Sequence, residues 1–255
     1  MAKSKVTVER IKLTVKDDSR NRDIFFVVSY PVKDGRPLEK ALPLIVFATG
    51  YGGDATNYAP LYDFWVRAGY VVTSATFPDN DDIPTDIKFV RDETLRRSPD
   101  RNVGGKRWPK IDGDHVALVG KSLGAVASFA TAFNPKFHDD VFDAVVAMTG
   151  VSTSADRLED YPTPLLLIHG DADELLPVAG SQDAYNRASG PKYFVTILGG
   201  SHGSAFGGGD SKSEKVVEKT VIDFLDLYLK DKKSAAARLK KHSDVPDVST
   251  LQEAP

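Results

Sequence analysis

Apolar and polar positions alternate broadly at the start of the chain, with Val6, Val8, Ile11, Leu13 and Val15 on one side of the pattern. The charged stretch at residues 17–23 separates them from an apolar-aromatic run at residues 24–30. Such alternation fits strands with one buried and one solvated face, and the charged turn between them predicts an antiparallel hairpin. After a polar loop at residues 33–40 the pattern changes. Short unbroken apolar runs now recur at residues 44–48, 70–75, 115–119, 142–148, 165–168 and 193–198. Unbroken runs of this length are what strands buried on both faces look like. Between and after them lie helix-like stretches at residues 57–68, 84–97, 123–133, 177–188 and 214–230. Strands alternating with helices predict βαβ units, hence an α/β class with a mostly parallel central sheet and helices on both faces.

Residues 1–230 read as a single domain without internal repeats. Residues 231–255 read as a charged tail, partly disordered or a short helix, because large apolar residues become rare there. Residues 98–114 read as a polar loop with Trp108 as an exposed surface anchor.

Charge changes the picture by exclusion. With 33 basic and 36 acidic side chains, net −3, no basic excess points to nucleic acid or an anionic membrane. No apolar run approaches the roughly 18–20 residues of a membrane span. The basic start, residues 1–5, leads into the alternating pattern rather than an apolar signal core, so the chain reads as cytoplasmic, or as a mature secreted chain without its leader. The absence of cysteine removes disulfides, thiolate metal sites and a cysteine nucleophile. No metal or organic cofactor is expected, and oligomeric state stays open.

The chemistry concentrates on Gly120-Lys121-Ser122-Leu123-Gly124, set between the run at 115–119 and the helix at 123–133. A Gly-x-Ser-x-Gly turn from strand to helix lifts the serine hydroxyl out of the sheet, where a base can take its proton. Five histidines could supply that base: His115, His138, His169, His202 and His242. His202 stands in Gly199-Gly200-Ser201-His202-Gly203, just after the last parallel run, where such sheets place functional groups. Asp171, Asp173 and Glu174 compete to orient it; Asp173 is preferred and Asp171 is the fallback. Ser122, Asp173 and His202 then occur in one of the known triad orders. Oxyanion donors are expected from the backbone of Leu123 and of Tyr51, the latter in the glycine-rich turn Thr49-Gly50-Tyr51-Gly52-Gly53.

On these motifs the chain resembles the α/β-hydrolase family, in its dienelactone-hydrolase-like branch with chlorophyllase-like and polyester-hydrolase-like serine esterases. Thr49-Gly50-Tyr51 resembles the branch's oxyanion turn, and His169-Gly170-Asp171-Ala172-Asp173 its His-Gly-x-x-Asp acid turn. The resemblance implies an α/β-hydrolase fold and a carboxylic ester hydrolase acting through an acyl-enzyme. Polyester or thioester cleavage is the alternative, and a catalytically silent binding protein on the same fold is the non-enzyme alternative. Dienelactone hydrolases use cysteine, so that activity is not expected. Thr149-Gly150-Val151 stands where polyester hydrolases carry an aromatic, and Lys121 where His or Trp is more usual.

About fifteen residues, 149–163, follow the strand after the elbow helix. That is too short for a folded lid, so an open cleft for small or oligomeric esters is expected. Tyr58, Val151 and Phe206 are candidate pocket residues by loop position, Phe206 in a glycine-rich loop placed to cover the site. A phosphate-binding loop ending in Gly120-Lys121-Ser122 would need glycine at position 115, where His115 stands.

Overall fold

The computed structural model describes residues 6–97 and 107–255. The basic start at residues 1–5 and the loop segment 98–106 lie outside the described residues.

The two alternating runs form β1 (Thr7–Asp17) and β2 (Arg22–Lys33), an antiparallel hairpin in which Leu13 faces Phe26 and Val15 faces Ile24. The two-residue β3 (Arg36–Pro37) pairs with the end of β2. The unbroken runs become β4 (Leu42–Ala48), β5 (Val71–Thr76), β6 (Ile111–Lys121), β7 (Phe142–Met148), β8 (Leu165–Gly170) and β9 (Lys192–Ile197). All six are parallel, in the spatial order β5-β4-β6-β7-β8-β9. The hairpin joins antiparallel through β2 to β5.

The helices are α1 (Ala59–Arg67), α2 (Ile83–Arg97), α3 (Leu123–Phe133), α4 (Val178–Arg187), α5 (Lys212–Tyr228) and α6 (Ala235–Ser243). They divide between two hydrophobic clusters, one on each face of the sheet. Leu44, Val46 and Ala48 of β4 join α2, α3 and α4, whereas Ile45 and Phe47 join α1, α5 and α6. Side chains alternate between the faces of a strand, so a strand covered on both sides must be apolar throughout.

Three expectations are corrected. The tail does not fray: after α6 it forms β10 (Ser249–Ala254), antiparallel to β9 with Leu251 opposite Val195. Pairing at an open sheet edge is made by the backbone and needs little apolar content. Arg238 of α6 reaches Asp223 of α5 at 2.7 Å, and Leu239 is buried. Second, β6 starts at Ile111 rather than His115. A register shift between Pro43, opposite Asp112, and Leu44, opposite Val116, leaves Gly113, Asp114 and His115 without partners on β4, and this insertion interrupts the apolar run that marks the strand in the sequence.

Third, Trp108 is a core residue, 2% exposed. The Leu42 N–H donates to the Lys110 carbonyl at 3.1 Å, drawing this segment onto the sheet, and the ring enters the cluster on the α2–α4 side. Trp108→Ala is therefore expected to cost about 3–5 kcal/mol in urea unfolding. A surface anchor would lose far less.

Candidate active site

The parallel order reverses at β4: the chain passes from β4 to β5 on one side and to β6 on the other. The carboxyl ends of strands at such a reversal open a crevice. The loops after β4, β6, β8 and β9 meet there.

Ser122 follows β6 directly and caps α3 with φ +56°, a left-handed conformation costly for a residue with a Cβ. Its N–H donates to the Met148 carbonyl at 2.9 Å, and its carbonyl receives the N–H groups of Ala125 and Val126 at 2.9 and 3.1 Å. The flanking glycines are steric necessities. A Cβ on Gly120 would stand 2.3 Å from the Gly124 carbonyl oxygen, and one on Gly124 would stand 2.1 Å from the Ala48 carbonyl oxygen. The elbow is thus wedged between β4 and α3.

Ser122, His202 and Asp173 come together in one hydrogen-bonded chain. The Ser122 Oγ lies 2.8 Å from His202 Nε2, and His202 Nδ1 lies 2.8 Å from Asp173 Oδ2. The Asp173 side chain is fully buried. Its Oδ1 accepts the N–H groups of Leu175 and Leu176, both at 2.9 Å. Burial opposes its ionisation, but the Leu176 N–H, His202 and the Leu175 N–H outweigh it, holding the carboxyl below its ordinary range. Asp171 instead points outward and accepts the Gly199 N–H at 2.6 Å, tying the loop after β8 to the loop after β9. Glu174 is exposed.

The other histidines stand elsewhere, with one exception. His115 pairs with Asp112, His138 stacks on Tyr161, and His242 pairs with Asp223. His169, at the end of β8, is buried beneath Asp173. Its Nε2 lies 3.0 Å from Asp173 Oδ2 and 2.9 Å from the Leu176 carbonyl, and its Nδ1 lies 2.7 Å from the Ser181 Oγ of α4. Burial lowers its pKa, against the pull of the Leu176 carbonyl and Asp173. Both groups facing Nε2 are acceptors, so a proton on that nitrogen is donated towards Asp173 and Leu176, while the Ser181 hydroxyl, with one hydrogen, lies between Nδ1 and the Gly150 carbonyl at 3.0 Å. His169 therefore positions the acid.

The Leu123 and Tyr51 N–H groups donate to no protein acceptor among the described residues. Thr49 anchors the Tyr51 turn by donating its hydroxyl to the Ala75 carbonyl at 3.1 Å, and the Gly53 N–H closes it on the Gly50 carbonyl at 2.9 Å. The Tyr51 ring itself is 78% exposed. Together with the start of α3, where backbone N–H groups are free, this turn offers donors for a developing negative charge.

No family model matches the chain. The chain is similar to the uncharacterized protein YfhR of Escherichia coli (strain K12), 27% identical over 241 residues that cover 86% of this chain and 81% of that protein. It is also similar to the uncharacterized protein YfhR of Salmonella typhi, 23% identical over 263 residues, covering 88% and 83%. The names of these relatives state no activity.

Of the candidate pocket residues, Tyr58 stands at the site. A Cβ built on Gly50 would lie 3.2 Å from the Tyr58 hydroxyl and 3.3 Å from the Ser122 Cβ, so hydroxyl and serine flank the same point. Val151 is half-buried and fills the space that a Cβ on Gly180 of α4 would take. Phe206 is corrected: it is buried in the cluster with α1 and α5 rather than placed to cover the site. Its glycine-rich loop is held down. The Gly209 N–H donates to Glu214 at 2.9 Å, and a Cβ on Gly208 would collide with the Leu61 N at 2.2 Å.

Residues 149–163 hold no helix or strand and run away from the serine. The Arg157 N–H donates to the carbonyl of Phe133, the last residue of α3, at 2.6 Å. At 1.5 Å per residue, that helix end is about 16 Å from its start at the elbow. The middle of this segment therefore lies at the far end of α3 from the elbow.

Proposed function

We propose that the chain is a serine hydrolase of the α/β-hydrolase fold that cleaves carboxylic esters without a metal or organic cofactor. The observation that carries this reading is the continuous contact Ser122–His202–Asp173 at 2.8 Å and 2.8 Å, beside unpartnered backbone N–H groups. Serine oxygen becomes a nucleophile when a base removes its proton, and His202 Nε2 is within reach of it. Asp173 keeps the His202 proton on Nδ1, leaving Nε2 free to receive the serine proton.

In the proposed reaction Ser122 Oγ attacks the ester carbonyl while its proton passes to His202. The carbonyl oxygen, now carrying the charge, is held by the N–H groups of Leu123 and Tyr51. Collapse of the tetrahedral intermediate breaks the bond to the alcohol oxygen, which takes the proton from His202. Water then gives its proton to His202 and attacks the acyl-enzyme, releasing the acid and restoring Ser122. The course of residues 149–163 away from the serine supports substrates that enter from the open side.

A fluorophosphonate probe followed by peptide mapping tests the reading. A single adduct on Ser122 is expected, and it should disappear in His202→Ala. Folded protein that takes up no probe would favour a binding protein on this fold.

A further inference from the structure

Two imidazoles share one oxygen of Asp173. His202 Nδ1 stands 2.8 Å from Oδ2, and His169 Nε2 stands 3.0 Å from the same atom. The Leu176 carbonyl also faces His169 Nε2, at 2.9 Å. A bare nitrogen there would leave three lone-pair atoms facing one another without a hydrogen, so the proton belongs on Nε2. On the other side of the ring, the Ser181 hydroxyl of α4 lies 2.7 Å from Nδ1 and 3.0 Å from the Gly150 carbonyl. His169 and Ser181 are both fully buried. A continuous series of contacts thus runs from the strand end at Gly150 through Ser181, His169, Asp173 and His202 to Ser122.

A carboxylate shares its charge among its donors, so each added N–H weakens its pull on the others. Among the described residues, the two rings and Asp173 have no other titratable group within hydrogen-bond or ion-pair distance. Ser122 meets His202 from the elbow, the Leu175 and Leu176 N–H groups meet Oδ1, and the charge of Lys121 acts on Asp173 without contact. Burial opposes a second proton on His169, so its contribution is a neutral N–H and not a titrating charge. We infer that His169 is a positioning residue that moderates Asp173: its N–H draws on Oδ2, loosens the carboxylate's hold on protonated His202, and so extends turnover to lower pH. This inference deepens the esterase reading and rests on it.

The test is the ratio of kcat/KM for 4-nitrophenyl acetate at about pH 5.5 to that at about pH 8, values that bracket ordinary histidine titration. His169→Phe and His169→Leu remove the donor. Either should lower this ratio by about 3–10-fold relative to the wild type, as expected if a charge-assisted hydrogen bond is transmitted in part. His169→Gln, which keeps an amide N–H, should stay within about twofold. The rate of Ser122 labelling by fluorophosphonate should follow the same pattern. A folded His169→Phe or His169→Leu protein that loses rate equally at both pH values shows structural support alone and overturns the moderating role. Should neither fold, nitrogen-15 spectra of the wild type decide: a His169 proton on Nε2 is expected, and a ring protonated only on Nδ1 overturns the inference. Folded wild type that hydrolyses no ester and takes no label overturns the esterase reading, and this inference with it.

Discussion

Ser122→Ala is expected to lower kcat for 4-nitrophenyl acetate by on the order of 10⁶-fold while leaving the thermal unfolding midpoint nearly unchanged. The two halves of this result have separate causes. The Ser122 side chain makes no capping hydrogen bond to α3, and the bonds that hold the elbow run through its backbone to Met148, Ala125 and Val126. The left-handed φ of +56° is a property of the turn, enforced by the close approach of Gly120 and Gly124 to their neighbours, and alanine bears it about as serine does. Only the proposed nucleophile is lost. His202→Ala should cost about as much, and the double variant little more, because the two act in one step and their losses do not add. A Ser122→Ala protein within about tenfold of the wild type would place the nucleophile elsewhere, and additive losses would separate the two residues' roles.

The parallel strands were legible because burial on both faces writes an unbroken apolar run, as in Leu44-Ile45-Val46-Phe47-Ala48, whose residues divide between the two clusters. The elbow helix was legible to the residue, because the Gly-x-Ser-x-Gly turn and its following apolar stretch mark its start. What stayed hidden depends on partners distant in sequence. β10 contributes edge pairing with β9, and nothing in Ser249-Thr250-Leu251 announces that partner. Trp108 sits among polar residues and is buried only because Lys110 and Ile111 dock against Leu42. At the site, the serine, acid and histidine could be read from motif and order. The support that His169 gives to Asp173 could not, since a histidine ending a strand has many possible neighbours.

Asp173→Asn should cut kcat by about 10⁴-fold, whereas Asp171→Asn should stay within a few-fold of the wild type. Asp173 is encircled by donors: two backbone N–H groups on Oδ1, and His202 and His169 on Oδ2. An amide offers one oxygen and one NH₂ group. With the oxygen kept on Leu175 and Leu176, the NH₂ faces His202 Nδ1 and forces its proton to Nε2, the nitrogen that must receive the serine proton. With the amide reversed, the two backbone N–H groups lose their acceptor, a buried deficit of about 1–3 kcal/mol each. Either orientation is damaging, so stability should fall together with rate. That stability difference depends on pH with a definite sign. The Asp173 pKa is depressed in the fold, so its contribution is present above the ordinary carboxylate range and is lost as pH falls through the depressed value. Urea unfolding of wild type and Asp173→Asn should therefore converge on acidification. Asp171 makes a smaller demand: one carboxylate oxygen accepts the Gly199 N–H at an exposed position, which an amide oxygen can do as well. If Asp171→Asn showed the large loss and Asp173→Asn the small one, the orienting acid would be Asp171, and the loop after β8 would have to rearrange for catalysis.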